Sequence, residues 1–582
     1  MNPAEHQAGA VDVSASPAMV RAGRPLPVDQ AEAQQAEFRG GCRLRSPAAG
    51  QGEASGLRRR LPWPLALGLA LVLASGGALA AEPVAAERRG TAQAAKGEQA
   101  GRLALALERL PELVQAAMAR SGVPGLAVVV VHNDSTVVLQ GHGTRRLGSG
   151  LAVDGDTVFQ LASLSKPIAS TVIAALVGDG TVGWDTPVMD QLPEVAIGGR
   201  SLGARVTLRD LLAHRSGLPD HAGDDLEDLG FDRATVLERL SLLDTGNRFR
   251  AAYAYTNFGF TAAGEAAARA AGSSWETLSA ERLYQPLGMA STSSRHGDYL
   301  ARSNRADLHQ RLNGRWQVSG GRQPDAQSPA GGVSASARDL ARWMRLQLNG
   351  GRFEGRQLVA AAALAETHRP QMISVPPADS ARDPARTYGL GWNVGFTPPD
   401  QVRLSHSGAF ALGAATAVSL IPSQGLGIAV LTNGTPMGVP EEVIAGFLDL
   451  VEHGQVQRDY AALLVPAFAA LMKPDYPIVT APPAAPDLPL ERYAGTYANP
   501  YLGAVEVAPE GDALVIRLGP ERRSAALTPL GQHRFSYVPV GENAGGPSAV
   551  SFRIGSGGRS EAVVIDNLNG EGMGSLRRVG PP

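Results

Sequence analysis

Two groups of strand-like segments, widely separated along the chain, constrain its fold more than any other feature. Residues 123–143, VPGLAVVVVHNDSTVVLQGHG, predict two strands joined by a turn at Asn133-Asp134-Ser135. Residues 404–434 contain LSHSGAF, GAATAVSLIPS and GLGIAVLTNG, which are short, β-rich and bounded by Gly or Pro. Helical patterns fill the interval between them. The chain therefore predicts an α/β fold, in which one antiparallel sheet is flanked by helices and joined to a mainly helical subdomain.

Changes in composition define the expected domain boundaries. Residues 101–472 form the α/β domain, which opens with an amphipathic helix at 102–120. Residues 473–489 are a proline-rich linker that cannot hold a regular element. Residues 490–582 show short alternating strand patterns separated by Gly, which predict a small all-β, barrel-like domain. This last segment has no cluster of reactive side chains, so we expect the chemistry to lie in the first domain.

The N-terminal region has the pattern of an export signal. Arginines at 58–60 precede the uncharged run LPWPLALGLALVLASGGALA, which ends in Ala-Leu-Ala at 78–80. We expect a signal peptide at 57–81 and a polar linker at 82–100, preceded by a leader, 1–56, that is disordered or lies upstream of the true translation start. A membrane anchor is the alternative, because the run approaches the roughly 20 residues that span a bilayer. The prolines and glycines in the run favour export and cleavage, and hence a periplasmic or secreted protein.

Composition excludes several classes of function. A formal net charge of −2 over 582 residues gives no electrostatic reason to expect nucleic acid as a partner. The single cysteine, Cys42, cannot build a disulfide framework or a cysteine-based zinc site. Neither HExxH nor a Gly-rich phosphate loop occurs, so we expect no metal and no cofactor. A small molecule or a peptide is the expected partner, and the oligomeric state is not predicted.

The stretch FQLASLSKPIAS, at 159–170, carries the first candidate chemistry. Ser163 and Lys166 lie three residues apart at the start of an apolar helix, so their side chains share one face. A lysine can activate a serine hydroxyl if burial lowers its pKa, and a helix N-terminus favours a developing oxyanion. Pro167 fits the first turn of a helix. The alternative is structural: Ser163 or Ser165 caps the helix and Lys166 is solvated.

Two further motifs occur downstream in a matching order. AYAYTNFGF contains Tyr255-Thr256-Asn257, and RLSHSGAF contains His406-Ser407-Gly408. With these, the chain resembles the serine hydrolases of the class C β-lactamase and D-Ala-D-Ala peptidase superfamily, whose pattern is Ser-x-x-Lys, then Tyr-x-Asn, then Lys/His-x-Gly. The resemblance extends over residues 103–453 and includes the phrases TLRDLLAHRSGLP, PLGMAST, SPAGGVSASARDLARWM, YGLGW and GIAVLTNG.

The resemblance implies a role for each matching residue. Ser163 is the expected nucleophile, while Lys166 and Tyr255 are expected to share the proton transfers, with the choice of general base left open. Asn257 is expected to hydrogen-bond the amide of the substrate's acyl side chain and Lys166. His406, Ser407, Gly408 and Ala409 are expected to line the substrate strand, where the backbone N–H groups of Ser163 and Ala409 form an oxyanion hole. His214 has no expected catalytic role.

One departure from the family pattern bears on the substrate. Many β-lactamases have a lysine at the position of His406, and a histidine is mostly neutral at pH 7. This favours D-Ala-D-Ala-type peptides over β-lactams and short esters. If His406 binds a carboxylate as a cation, kcat/KM for a carboxylated substrate falls as the pH rises through about 6.5. Two other functions are possible for such a chain: a penicillin-binding sensor that is acylated without turnover, or a scaffold with vestigial motifs.

Overall fold

A computed structural model describes residues 87–377, 384–397 and 401–580, with the side chains from residue 97 onward. The predicted leader and signal peptide, residues 1–81, lie outside the described residues. Among the helices that the structure describes, none is long and apolar enough to cross a membrane.

The main sheet is antiparallel and is built from both ends of the α/β domain, which confirms the prediction. Its described strands, in spatial order, are Ser135–Gly143, Gly125–His132, Leu426–Thr432, Ala414–Ile421, Gln401–Phe410, Asn393–Thr397, Arg386–Tyr388 and Met372–Val375. Two-stranded pairs join Val158–Gln160 to Ser334–Ser336, His309–Leu312 to Arg315–Val318, and Arg352–Phe353 to Arg356–Gln357.

Helices cover both faces of this sheet. The described α-helices are Glu87–Ser121, Ser165–Gly178, Arg200–Gly203, Leu208–Leu212, Asp224–Asp228, Arg233–Arg239, Asn257–Ala270, Trp275–Ser279, His296–Ala301, Ser328–Gly331, Ala337–Leu348, Ala361–Thr367, Val439–His453 and Tyr460–Leu471. Short 3₁₀ turns lie at Ala162–Leu164, Val188–Asp190, Leu240–Leu242, Asp325–Gln327, Pro422–Gln424, Leu490–Arg492 and Asp566–Leu568, and a π-helical turn lies at Ala280–Tyr284.

The strand Gly125–His132 shows why the sheet needs cover on both sides. Successive side chains of a strand point to opposite faces. Val129 and its alternate neighbours pack in the core that contains the helix Ser165–Gly178. Val128 and its alternate neighbours pack against the terminal helices Glu87–Ser121 and Val439–His453. An uninterrupted apolar run is therefore the sequence signature of a central strand here.

The N-terminal helix is longer than predicted. It begins at Glu87, inside the segment expected to be a polar linker, and continues through Pro111 to Ser121. Residues 87–100 are rich in Ala, Glu, Gln, Arg and Lys, whose helix propensities are high. A polar composition was therefore misleading, because polar residues with high helix propensity can continue a helix without an apolar stripe. The helix Tyr460–Leu471 was also not predicted.

The C-terminal segment folds into a closed antiparallel barrel, as its alternating pattern predicts. The described strands follow one another around the barrel: Gly495–Asn499, Gly503–Glu510, Ala513–Leu518, Arg523–Gly531, Arg534–Tyr537, Ser548–Ile554, Ser560–Ile565 and Ser575–Val579. The first strand pairs with the last. Closure leaves no free sheet edge on the barrel.

Candidate active site

The turn that carries Ser163 is a strained junction between a strand and a helix. It follows the strand Val158–Gln160 and forms a 3₁₀ turn before the helix Ser165–Gly178 begins. Ala162, directly before Ser163, has φ of +49°, a left-handed conformation that costs energy for a residue with a Cβ. No side chain caps the helix start, and the Ser165 hydroxyl instead accepts the backbone N–H of Val333 at 2.9 Å. The capping alternative for these serines is therefore not what the structure shows.

Lys166 is fully buried and is bonded on three sides. Its Nζ lies 2.7 Å from Asn257 Oδ1, 3.2 Å from the Ala330 carbonyl oxygen and 3.1 Å from Ser163 Oγ. Burial lowers the pKa of Lys166 to about 7, although the charge of Asp224 opposes the shift. A neutral amine has two N–H donors and one lone pair, and two of its three neighbours can only accept. The lone pair of the neutral amine is therefore directed at the Ser163 hydroxyl.

Tyr255 completes the group from a distant part of the chain. Its ring lies 4.5 Å from Lys166 Nζ, and its hydroxyl lies beside that of Ser163 without the alignment of a full hydrogen bond. Burial raises the pKa of the Tyr255 phenol. The His214 ring packs on the Tyr255 ring with centroids 4.4 Å apart, and His214 Nδ1 accepts the N–H of Thr256 at 3.1 Å. Burial also holds the pKa of His214 well below its usual value, so this histidine is neutral and positions the tyrosine.

Asn257 connects Lys166 to two residues that sequence reasoning missed. It is the first residue of the helix Asn257–Ala270, and its Nδ2 donates to Asp224 Oδ2 at 2.8 Å. The same oxygen lies 2.7 Å from His221 Nδ1. Asp224 thereby orients the Asn257 side chain: the carboxylate can only accept, so Asn257 Nδ2 faces Asp224 and Asn257 Oδ1 faces Lys166. The acid-rich run PDHAGDDLED was the available signal, but spacing alone did not link it to Asn257.

The strand Gln401–Phe410 brings Gly408 against the Ser163 turn. A Cβ at Gly408 would overlap the Leu161 carbonyl oxygen and lie 2.9 Å from the Leu164 nitrogen. The neighbouring strand Asn393–Thr397 pairs with residues 401–405 only, so residues 406–410 have a strand partner on one side, at Ala414–Val418. Ala409 lies on this open edge, where the backbone of a substrate can add as a further strand.

The structure places the side chains of His406 and Ser407 in contact with other groups of the protein. His406 Nε2 lies 2.9 Å from the Tyr388 hydroxyl, and its Nδ1 lies 2.8 Å from the Ser407 carbonyl oxygen. Both ring nitrogens are thus occupied by protein groups, and burial together with Lys166 lowers the pKa of His406 to about 3. The Ser407 hydroxyl lies against Glu441 on the opposite face of the sheet. Neither side chain therefore offers a free polar group to a substrate. Both ring nitrogens of His406 are already bonded, and the Ser407 side chain points to the opposite face of the sheet because successive side chains of a strand alternate.

Together these groups can perform acyl transfer. Ser163 Oγ is a nucleophile whose proton has an acceptor in Lys166, and the Tyr255 hydroxyl lies beside the same oxygen. Gly408 contacts the nucleophile turn, and Ala409 follows it directly along the strand. Within the described residues, no group of three His, Cys, Asp or Glu is arranged to hold a metal ion.

A sheet with helices on both faces, together with a half-buried serine beside a buried lysine and a buried tyrosine, defines a class of serine-dependent hydrolases. The chain belongs to one family within this class, because the family model described as Beta-lactamase matches residues 110–452. A second model, described as a domain of unknown function (DUF3471), matches residues 480–573.

The chain is similar in sequence to several proteins of known name. The penicillin-binding protein 4 of Amycolatopsis lactamdurans is 28% identical over 385 residues, which is 64% of this chain and 93% of that protein. The D-alanyl-D-alanine-carboxypeptidase/endopeptidase AmpH of Escherichia coli is 27% identical over 344 residues, which is 57% of this chain and 85% of that protein. The octameric penicillin-binding protein homologue from Pyrococcus abyssi superposes with a TM-score of 0.50 at 19% identity, covering 79% of this chain and 98% of that one. This last likeness shows the fold.

Proposed function

We propose that this protein is an exported serine hydrolase that forms an acyl-enzyme on Ser163 and acts on D-Ala-D-Ala-type peptides. β-Lactams and short esters are further acyl donors for the same machinery. The observation that carries the proposal is the set of three contacts of Lys166 Nζ: Asn257 Oδ1 and the Ala330 carbonyl oxygen can only accept, which leaves the lone pair of the neutral amine for the Ser163 hydroxyl. A neutral amine aimed at a serine hydroxyl is a general base already in place.

In the proposed reaction, Lys166 accepts the Ser163 proton as Oγ attacks the acyl carbonyl carbon. The new C–O bond forms, the carbonyl oxygen gains the negative charge, and the N–H groups of Ser163 and Ala409 stabilise it. The tetrahedral intermediate then expels the leaving amine, which takes a proton delivered from Lys166 through the neighbouring Tyr255 hydroxyl. Water releases the acyl group by the reverse sequence. Lys166 is the base of the pair that is available near neutral pH, because burial lowers its pKa to about 7 and so populates the neutral amine, whereas burial raises the pKa of Tyr255 and keeps the phenol protonated.

The substrate preference is supported by the free strand edge and by the relatives. A peptide can pair with residues 408–410, whereas an ester uses the oxyanion hole alone. The names of two relatives refer to penicillin binding and to D-alanyl-D-alanine carboxypeptidase activity. His406 gives no support for recognition of a carboxylate by a cation, since the pKa of its ring is lowered to about 3.

The proposal is tested with a panel of acyl donors. Purified mature protein is assayed with a D-Ala-D-Ala peptide, nitrocefin and a short-chain nitrophenyl ester, beside Ser163→Ala and the matched control Ser165→Ala. We expect turnover of the peptide that Ser163→Ala loses and Ser165→Ala retains, because the Ser165 hydroxyl faces Val333. A fluorescent penicillin that labels Ser163 and is never released would instead identify a receptor. No labelling and no hydrolysis would contradict acyl transfer altogether. N-terminal sequencing of the mature protein tests export.

A further inference from the structure

The short helix Asp224–Asp228 contacts both the candidate active site and the C-terminal barrel. Its first residue, Asp224, binds Asn257 of the site. Two later residues, Asp225 and Asp228, bind groups of the barrel. One turn of helix therefore carries contacts in two directions, so that a displacement of the helix moves both sets of contacts together.

On the barrel side, the contacts are specific and come from several loops. The Tyr501 hydroxyl donates to Asp225 Oδ1 at 2.9 Å. Asp228 accepts the backbone N–H of Glu542 and that of Asn543, each at 2.9 Å. The Arg523 guanidinium donates to the Asp228 carbonyl oxygen at 2.9 Å. Carboxylates that accept several backbone N–H groups hold a loop in one orientation.

Gly541 shows how closely the barrel approaches this helix. Its φ is +127°, and a Cβ at this position would overlap the carboxyl group of Asp228. The next residue, Glu542, reaches further and accepts the backbone N–H of Ala411, directly after the strand that contains Ala409. The barrel loop therefore touches both the helix Asp224–Asp228 and the residue that follows the strand Gln401–Phe410.

On the site side, the contact sets the environment of Lys166. Asp224 is bonded to Asn257, and Asn257 to Lys166, at 2.8 and 2.7 Å. The titratable groups near Lys166 come from several elements: His214, Asp220, His221, Asp224, Tyr255 and His406. Among them, Asp224 is the group whose charge raises the pKa of Lys166 against the effect of burial. Burial alone would lower the pKa of His221, but Asp220 and Asp224 outweigh it and the pKa is raised.

We propose that the C-terminal barrel positions the catalytic lysine: by holding the helix Asp224–Asp228, it keeps Asp224 on Asn257 and Asn257 on Lys166. Asp224 is thus a positioning residue that acts through Asn257, and the barrel is part of the catalytic unit although it contributes no group to the reaction. The inference rests on the proposed function for the role of Lys166 in the reaction, but the contacts themselves do not depend on it.

The test measures the titration of Lys166, which requires no substrate. The chain has three lysines, Lys96, Lys166 and Lys473, so the full-length protein labelled with ¹³C at lysine Cε gives a spectrum that Lys166→Met assigns. We expect the Lys166 signal to titrate near pH 7. In Asp224→Asn it should titrate about one pH unit lower, because a negative charge two hydrogen bonds away is removed.

The decisive variant lies in the barrel. Gly541→Ala pushes on Asp228, so we expect it to shift the Lys166 titration in the same direction as Asp224→Asn. Gly558→Ala is the matched control, since Gly558 also has a positive φ, +68°, but a Cβ there meets nothing within 4 Å. If Gly541→Ala does not fold, Tyr501→Phe removes the hydroxyl on Asp225 and is expected to shift the titration the same way.

Each outcome decides one of the two proposals. The coupling between the barrel and Lys166 is overturned if the Lys166 titration is unchanged in Gly541→Ala, or in Tyr501→Phe where that variant replaces it. This conclusion holds whether or not the protein hydrolyses a substrate. A shift in the barrel variant that Gly558→Ala does not share supports it. Absence of Ser163 acylation in the wild type overturns the proposed function instead and leaves the titration result standing.

Discussion

Replacing Lys166 with methionine should remove a large pH dependence from the stability of the protein. Burial lowers the pKa of Lys166 from 10.5 to about 7, so the folded protein resists its protonation. At about 1.36 kcal/mol per pKa unit, the cost of charging it in the folded state is roughly 5 kcal/mol. Between pH 7 and 10.5 the unfolded chain binds more protons than the folded one, so the free energy of unfolding rises with pH. That gain is absent below pH 7, where both states are protonated, and complete above 10.5.

The measurement is urea unfolding of wild type, Lys166→Met and the control Lys473→Met at pH 7.5 and 9.5. From pH 7.5 to 9.5, the wild type should gain about 2.5 kcal/mol relative to Lys166→Met. Comparing pH values cancels the constant cost of leaving Asn257 and Ala330 without their donor. Lys473 is exposed, so Lys473→Met should follow the wild type. A difference between wild type and Lys166→Met that stays constant with pH would refute the neutral lysine and the base catalysis built on it.

Two further predictions concern the strand beside the nucleophile. Gly408→Ala should abolish acylation and cost about 1–3 kcal/mol of stability, because its Cβ would lie 2.5 Å from Thr416 Oγ1 and overlap the Leu161 carbonyl oxygen. Acylation kinetics and urea unfolding measure the two effects, and a fully active variant would contradict the prediction. The ratio of kcat/KM for carboxylated and uncharged substrates should stay constant from pH 5 to 8, because His406 is neutral throughout; a ratio that falls near pH 6.5 would restore His406 as a cation.

Much of this architecture follows from local pattern. A strand that is apolar throughout must lie in the centre of a sheet that is covered on both faces. This condition places the run at residues 126–131 and the Gly-bounded strands at 404–434 in the same central part of the sheet. The short strands after residue 490 predict the barrel because their apolar residues alternate with polar ones, the two-residue period of a strand with one buried face. The proximity of Ser163 and Lys166 was predictable because residues three apart in successive helical turns lie on one side, although Ser163 lies in the 3₁₀ turn that precedes the helix of Lys166.

The remaining features depend on contacts between distant segments. Asp224 lies in a loop-rich region, and nothing in the spacing of PDHAGDD states that one of its carboxyl groups meets Asn257. His406 was read from its chemistry as a substrate contact, whereas Tyr388 occupies its Nε2 in the folded protein. The barrel contains no reactive cluster, and its relation to the site became visible only through the contacts of Asp225 and Asp228.

The central claim is that Ser163 carries the acyl group, and mass spectrometry of the trapped intermediate tests it most directly. The protein is mixed with an excess of a penicillin, quenched within seconds and digested. The account predicts one added acyl mass, located on the peptide that contains Ser163 and absent in Ser163→Ala. An adduct on another residue, or an unmodified protein under conditions where the substrate is consumed, would contradict it.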